Sequence, residues 1–223
     1  MKVGFLFNHD QIHQVAHSLP IALALARTAP GLDIVIATSN RRLTNEVRHH
    51  FALVGFELPL VELGLRNAGT RFAARYLEAV VPATKLGIYR DNLDFFRSLD
   101  ALVVAEKTSL LLKTHYGLQG LRLIHTRHGA GDRAIGFDKA SAGFDHVLVS
   151  GPKVRERLIE DAGVPADRLS TVGYPKFDMM PENRIRLPFE GNGKPTVLYN
   201  PHLSPHLSSW YRHGRAVLEH FLA

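Results

Sequence analysis

The sequence predicts an α/β fold, a Rossmann-like parallel sheet with helices on both faces. Short apolar runs alternate along the chain with longer segments whose apolar residues recur at helical spacing, and such a succession closes into a doubly wound sheet. The 223 residues are 45% hydrophobic and 22% charged, enough apolar material to cover both faces of that sheet and enough charge to keep the surface wet.

Val3 to Phe7 follows a single Lys and is too short for a signal-peptide core, so it reads as a buried first strand. Ile12 to Arg27 carries helical spacing, Asp33 to Ala37 reads as the next strand, and Leu43 to Phe51 as the helix after it. Thr70 to Arg97 is helical in pattern, with Pro82 and Gly87 placed to kink or divide it. Then come a strand at Ala101 to Ala105, a helix at Ser109 to His115, and strands at Leu121 to Ile124 and His146 to Val149. In Ser150-Gly151-Pro152 the proline takes a first-turn helix position, and Gly163 caps the helix Pro152 to Asp161 before a last strand at Ser170 to Val172.

Residues 1–180 thus form one domain. Pro181 to Pro195 is rich in turn residues and lacks periodicity, which marks a linker. Beyond it, Thr196 to Tyr199 reads as a strand, and Ser204-Pro205 opens a helix whose Leu207, Trp210, Tyr211, Gly214, Leu218 and Phe221 share one face. One strand and one helix cannot bury their own apolar faces, so 196–223 is expected to be the first βα unit of a second domain truncated at Ala223.

Lys and Arg exceed Asp and Glu by 6, which favours anionic partners. The basic residues are scattered among helices without an aromatic-rich motif, which disfavours nucleic acid. With no cysteine the chain has no disulfide framework, thiolate nucleophile or Cys-ligated zinc. No apolar stretch is long enough to span a membrane, so the expected location is the cytoplasm.

Three loops concentrate chemistry. His9, His13 and His17 recur every four residues, one face of a helix if the segment is helical, but HExxH and a matching carboxylate are missing, so no metal site is expected. The richest loop follows the strand ending at Ile124: His125-Thr126-Arg127-His128-Gly129-Ala130-Gly131-Asp132-Arg133. Ligands of open α/β sheets bind outside the carboxyl ends of the strands. There Gly129 lets backbone N–H groups approach an anion, His128 can take a proton near neutral pH, and Arg127 or Arg133 can hold negative charge. A tight turn with a hydrogen-bonded histidine and solvated arginines fits the same composition. Gly173-Tyr174-Pro175-Lys176-Phe177-Asp178 emerges from another strand end, and Asn200-Pro201-His202-Leu203-Ser204 leads to the last helix, where a Ser204 cap and nearby His202 suit a phosphate.

His128-Gly129, Gly173-Tyr174-Pro175-Lys176-Phe177-Asp178 and Asn200-Pro201-His202 stand in the order and approximate spacing of the CDP-glycerol glycerophosphotransferases of teichoic-acid and capsule synthesis, which this sequence resembles over residues 121–210. His17-Ser18-Leu19-Pro20 is similar to the His-x-x-Pro that opens the first helix in many GT-B enzymes. Two segments differ: His128-Gly129 runs on into Ala130-Gly131-Asp132-Arg133 rather than a pattern ending in Lys, and Pro201-His202-Leu203-Ser204 replaces Pro-Thr-Trp-Arg.

The resemblance implies a GT-B transferase with an acceptor-side domain at 1–180 and a donor-binding domain from 196. It would move a glycerophosphate or sugar from a nucleotide-diphosphate donor to an acceptor hydroxyl, lipid-linked or polymeric, in cell-envelope synthesis, with peripheral contact at the inner face of the membrane. His128 would be the base with Asp132 beside it, Arg127, Gly129, Arg133 and Lys176 would meet phosphate, and His202 with Ser204 the donor diphosphate. Cations and helix termini can neutralise that charge, so no cofactor and no metal is expected. Two rivals remain: a UDP-sugar 2-epimerase of the same architecture, for which Asp132 supplies an acidic group, and a non-catalytic module binding anions or nucleic acid.

Overall fold

The computed structural model describes residues 1–8, 12–78, 82–127, 131, 136–180, 191 and 193–222. The chain divides into two compact units, Met1–Met180 and Pro181–Ala223.

In the first unit seven strands form one sheet in the order β3-β2-β1-β4-β5-β6-β7: β1 (Lys2–Phe7), β2 (Asp33–Thr38), β3 (Leu60–Glu62), β4 (Ala101–Val104), β5 (Arg122–His125), β6 (His146–Val149) and β7 (Leu169–Thr171). Every neighbouring pair is parallel, and β1 is gripped on both edges, Phe5 lying beside Ile36 of β2 and Val103 of β4. A central parallel strand has both faces covered, so its residues are apolar without alternation, and Val3 to Phe7 shows that pattern.

Alternate residues nevertheless enter different cores. Phe5, Phe7, Ile36 and Val103 pack with Leu19 and Leu23 of α1 (Leu19–Thr28) and with Leu43, Val47 and Phe51 of α2 (Arg41–Val54). On the other face Leu6, Val35, Leu102 and Leu123 meet Ile88 and Tyr89 of α4 (Ala83–Asp91), against which α3 (Ala68–Leu77) packs, then Phe96 of α5 (Leu93–Arg97), Leu112 of α6 (Leu111–Thr114) and Leu158 of α7 (Pro152–Glu160). Helices on both faces make this the Rossmann-like α/β arrangement expected.

Local signals account for several boundaries. Asn40 caps α2 by accepting from the Leu43 N–H at 3.0 Å. Pro152 opens α7, and beyond its end Gly163 takes φ +68°, a left-handed conformation that glycine enters at no steric cost. Between Thr70 and Arg97 the described residues make three helices; Pro82 precedes α4, whereas Gly87 sits inside α4 without breaking it.

Three expectations are corrected. Ile12–His17 is a 3-10 helix with α1 beginning only at Leu19, and at three residues per turn His13 and His17 do not share a face. In the second unit Thr196 to Tyr199 is not a strand, because among the described residues it has no partner strand to complete its hydrogen bonds. Ser204 does not cap the last helix: it precedes the single 3-10 turn Pro205–Leu207, and α8 (Trp210–Leu222) starts beyond it, its first N–H bonded to the Ser208 hydroxyl at 3.2 Å. Trp210, Tyr211, Leu218 and Phe221 of α8 are exposed within this unit, and the Trp210 ring lies over Gly214, where an added Cβ would stand 2.5 Å from the indole. No helix among the described residues is long and apolar enough to cross a membrane.

Candidate functional site

Because all seven strands run the same way, every strand-to-helix loop leaves from one rim. The strand order reverses about β1, so the rim divides between β1 and β4, the place where open α/β sheets hold ligands. At that division Asn8 follows β1, Ala105-Glu106-Lys107 follows β4, and His125-Thr126-Arg127 closes β5.

A cleft of about 330 Å³ opens at the ends of β4 and β5, lined by Glu106, Lys107, His125, Arg127, Gly136 and Asp138. Lys107 anchors one wall, donating to Asp138 at 2.7 Å and to the Gly136 carbonyl at 3.3 Å. That ammonium, through its hydrogen bond first, holds the Asp138 carboxyl below the usual carboxylate range against its partial burial. Glu106 has Lys85 of α4 at 3.7 Å. His125 is 3% exposed and lies flat on Phe144, centroids 4.4 Å apart and planes within 5°. Its Nε2 is 3.0 Å from the Ala105 carbonyl, which can only accept, so Nε2 carries the proton.

Arg127 also lines the cleft. Its backbone is left-handed at φ +56°, and it alone among the described non-glycine residues has a positive φ. Nη1 donates to the Gly136 carbonyl at 3.1 Å, while the guanidinium carbon sits 4.2 Å from the Phe137 ring centroid. Arg157 approaches the same ring at 3.9 Å, so two cations share one aromatic side chain. Burial first, and the like charge of Arg157 second, pull the Arg127 guanidinium below its usual pKa. Arg127 also faces a smaller pocket between the ends of β5, β6 and β7, beside Thr126, Ser150, Gly173 and Tyr174. His17 closes that pocket, its ring 5.4 Å from Tyr174 in edge contact.

Of the residues singled out in the sequence, Arg127 is therefore on the rim and buried. His128, Gly129, Asp132 and Arg133 lie outside the described residues. Lys176 is exposed, on the 3-10 turn Pro175–Met179 that follows β7. His202 and Ser204 belong to the second unit, where the Ser204 N–H donates to His202 Nδ1 at 2.9 Å. His13 and His17 have ring centroids 6.2 Å apart, and the described residues hold no group of three His, Asp or Glu arranged for a metal ion. Sequence reading missed Glu106, Lys107, Phe137 and Asp138. The strand-end rule applied to β4 would have found Glu106 and Lys107; Phe137 and Asp138 lie well past β5 and carry no local signal.

No family model and no curated protein matches the sequence. Among solved structures the chain is similar to UDP-GlcNAc 2-epimerase from Neisseria meningitidis bound to UDP-GlcNAc, with TM-score 0.57 and 14% identity over 80% of this chain and 48% of that one. It is similar to a putative UDP-N-acetylglucosamine 2-epimerase from Listeria monocytogenes, with TM-score 0.54 and 15% identity over 83% of this chain and 48% of that one. A weaker likeness, TM-score 0.47 and 10% identity over 76% and 44%, is to the lipopolysaccharide outer core galactosyltransferase WaaB. The chain thus spans about half the length of the structures it matches. At such identities the likeness shows the fold: a Rossmann-like α/β domain of the GT-B type. None of these three is a CDP-glycerol glycerophosphotransferase.

Proposed function

We propose that this chain supplies part of a GT-B enzyme acting on a nucleotide-diphosphate-linked substrate, whose glycerophosphate or sugar it transfers to an acceptor hydroxyl in cell-surface polymer synthesis. The charged cleft at the ends of β4 and β5, with Arg127 immediately before His128, carries this reading. His128 takes the proton of the acceptor hydroxyl as its oxygen forms a bond to the activated phosphorus or anomeric carbon. The bond to the nucleotide breaks, and the nucleotide departs with the electron pair. Arg133 and Lys176 offset the leaving phosphate charge, and Gly129 lets the backbone approach it. In the second unit His202, with Nδ1 taken by Ser204, has Nε2 for the donor diphosphate. Cationic side chains suffice for this neutralisation without a metal.

A second reading, epimerisation of a UDP-sugar, is favoured by the likeness to two 2-epimerase structures. It needs acidic groups to remove and return a proton, and Asp132 is the candidate. Incubating the enzyme with nucleotide-linked donors and following free nucleotide decides between them. Release that depends on an added hydroxyl acceptor is expected; conversion of a UDP-sugar without acceptor would establish the epimerase instead.

A further inference from the structure

Arg127 combines four unfavourable features. Its backbone takes the left-handed conformation that a Cβ disfavours, φ +56°. The residue is only 8% exposed. Among the described residues its Nε has no hydrogen-bond partner, and the guanidinium's one hydrogen bond is that from Nη1 to Gly136. Its charged neighbour over the Phe137 ring is another cation, Arg157, which has its own carboxylate in Asp161 at 2.9 Å.

Buried arginines are ordinarily matched by a carboxylate. Here the carboxylates of the same cleft are already matched: Asp138 holds Lys107 at 2.7 Å and Glu106 has Lys85 at 3.7 Å. Among the described residues no carboxylate forms an ion pair with Arg127, on which Asp138 acts only as a more distant charge. Its aromatic seat fixes the guanidinium plane but provides no hydrogen-bond acceptor. A guanidinium seated on an aromatic ring, its Nε buried without a partner and its residue lining a cleft of about 330 Å³, has the form of a receptor for a planar or tetrahedral oxyanion.

We propose that Arg127 is an oxyanion-binding residue, retained against its backbone strain to hold one phosphate or carboxylate group of the substrate. All the partners that build this seat, Lys107, Gly136, Phe137, Asp138 and Arg157, lie in the first unit, so that unit binds the anion by itself. The proposal rests on the reading of this rim as the substrate site and holds for transfer and epimerisation alike.

The experiment uses the chain itself with inorganic phosphate as the probe, against chloride at equal ionic strength, and follows thermal unfolding. At ten times its dissociation constant phosphate is expected to raise the folding constant about tenfold. Arg127→Gly relieves the positive φ while removing the guanidinium. It is expected to unfold in chloride no earlier than the parent chain and to show no phosphate response. Arg127→Asn, whose side chain tolerates the left-handed region, provides the same comparison should the glycine variant fail to fold. An equal response to acetate identifies a carboxylate as an acceptable group, and phosphate alone a phosphate; both support the site. An undiminished phosphate response in either variant overturns the proposal, as does a large loss of stability in chloride for both, which would make Arg127 a structural tie to Phe137. Phosphate binding by this chain, with no turnover of any nucleotide-linked donor by the whole enzyme of which it is part, would remove the transferase and epimerase readings and leave the site standing. Turnover by that whole enzyme carrying Arg127→Gly at the parent KM would do the reverse.

Discussion

The side-chain amide of Asn8 donates to the phenol oxygen of Tyr89 at 2.8 Å, with both residues buried at the carboxyl end of β1. Because the amide donates, the phenol's own proton goes to Ser109 or Thr108, whose hydroxyls stand at 3.2 and 3.3 Å. The pair therefore ties β1, α4 and the turn after β4 together at the division of the rim.

Tyr89→Phe keeps the ring but strands Asn8 Nδ2 without an acceptor. The expected loss is about 1–3 kcal/mol of unfolding free energy, read from urea denaturation. Burial also pushes the Tyr89 phenol above its ordinary value of 10.0, despite the hydrogen bonds that favour ionisation. The fold prefers the neutral phenol, so this contribution is intact below about pH 10 and lost as pH rises past it towards the folded-state value. An alkaline stability profile identical in the parent chain and Tyr89→Phe would count against this account.

Asp91 closes the start of α3 from the end of α4. Burial opposes its ionisation, yet hydrogen bonds from the Thr70 hydroxyl at 2.6 Å, from Asn67 and from the Arg66 N–H at 2.6 Å outweigh burial and bring the carboxyl from 3.8 to about 2. A depressed carboxyl stabilises the fold above its unfolded pKa and stops doing so as pH falls through the folded one, so the window runs from about 4 down to about 2. Acid unfolding of Asp91→Asn should be flatter across that window than that of the parent chain. Parallel curves would show that Asp91 is not the group responsible.

Gly87→Ala pits helix propensity against packing. Alanine gains about 1 kcal/mol within a helix, but its Cβ would stand 2.6 Å from Leu65 Cδ2 and 3.2 Å from the Cβ of Thr70. The leucine tip can swing aside, while the Thr70 Cβ is fixed to the α3 backbone. Overpacking of this kind costs about 1–3 kcal/mol, so net destabilisation is expected in thermal or urea unfolding. A more stable variant would mean that α3 and α4 separate freely.

His128→Ala in the active enzyme is expected to lower the rate by about 100-fold to 10,000-fold without loss of the fold. An exposed histidine of no function would change stability by only about 0.5 kcal/mol and leave turnover alone. Full turnover by the variant would make His128 only a loop residue; failure to fold would make it structural and turn the search for a base to His13, His17 and Asp132.

Strands of the sheet interior were legible because both their faces are apolar: Val3 to Phe7 and Ala101 to Ala105 could be little else. β3 was missed because Leu60–Glu62 is a short edge strand with two of its residues exposed and Pro59 just before it, so burial wrote no pattern there. The opposite error at Thr196 to Tyr199 arose because β-branched and aromatic residues propose a strand, but only a neighbour can pair it. Gly87 reads as a breaker because its close contacts come from Leu65, ahead of α3, and from Thr70 of α3 packed on α4, which no local window contains. At the site, Arg127 was recognisable from its place at a strand end. Its burial was not, since Phe137 and Arg157 come from later segments brought back by the fold.

The placement of β1 between β2 and β4 also sets a schedule for the nascent chain. One edge of β1 is satisfied as soon as β2 (Asp33–Thr38) leaves the ribosome, but the other waits for β4 (Ala101–Val104). At ordinary translation speeds that wait lasts roughly three to thirteen seconds. Throughout it, the apolar edge from Val3 to Leu6 is open to any passing strand. Recovery of native protein from a cell is then governed by how well this edge is shielded during synthesis, so slower elongation between the codons for Thr38 and Val104 lowers the yield even when the finished protein is equally stable.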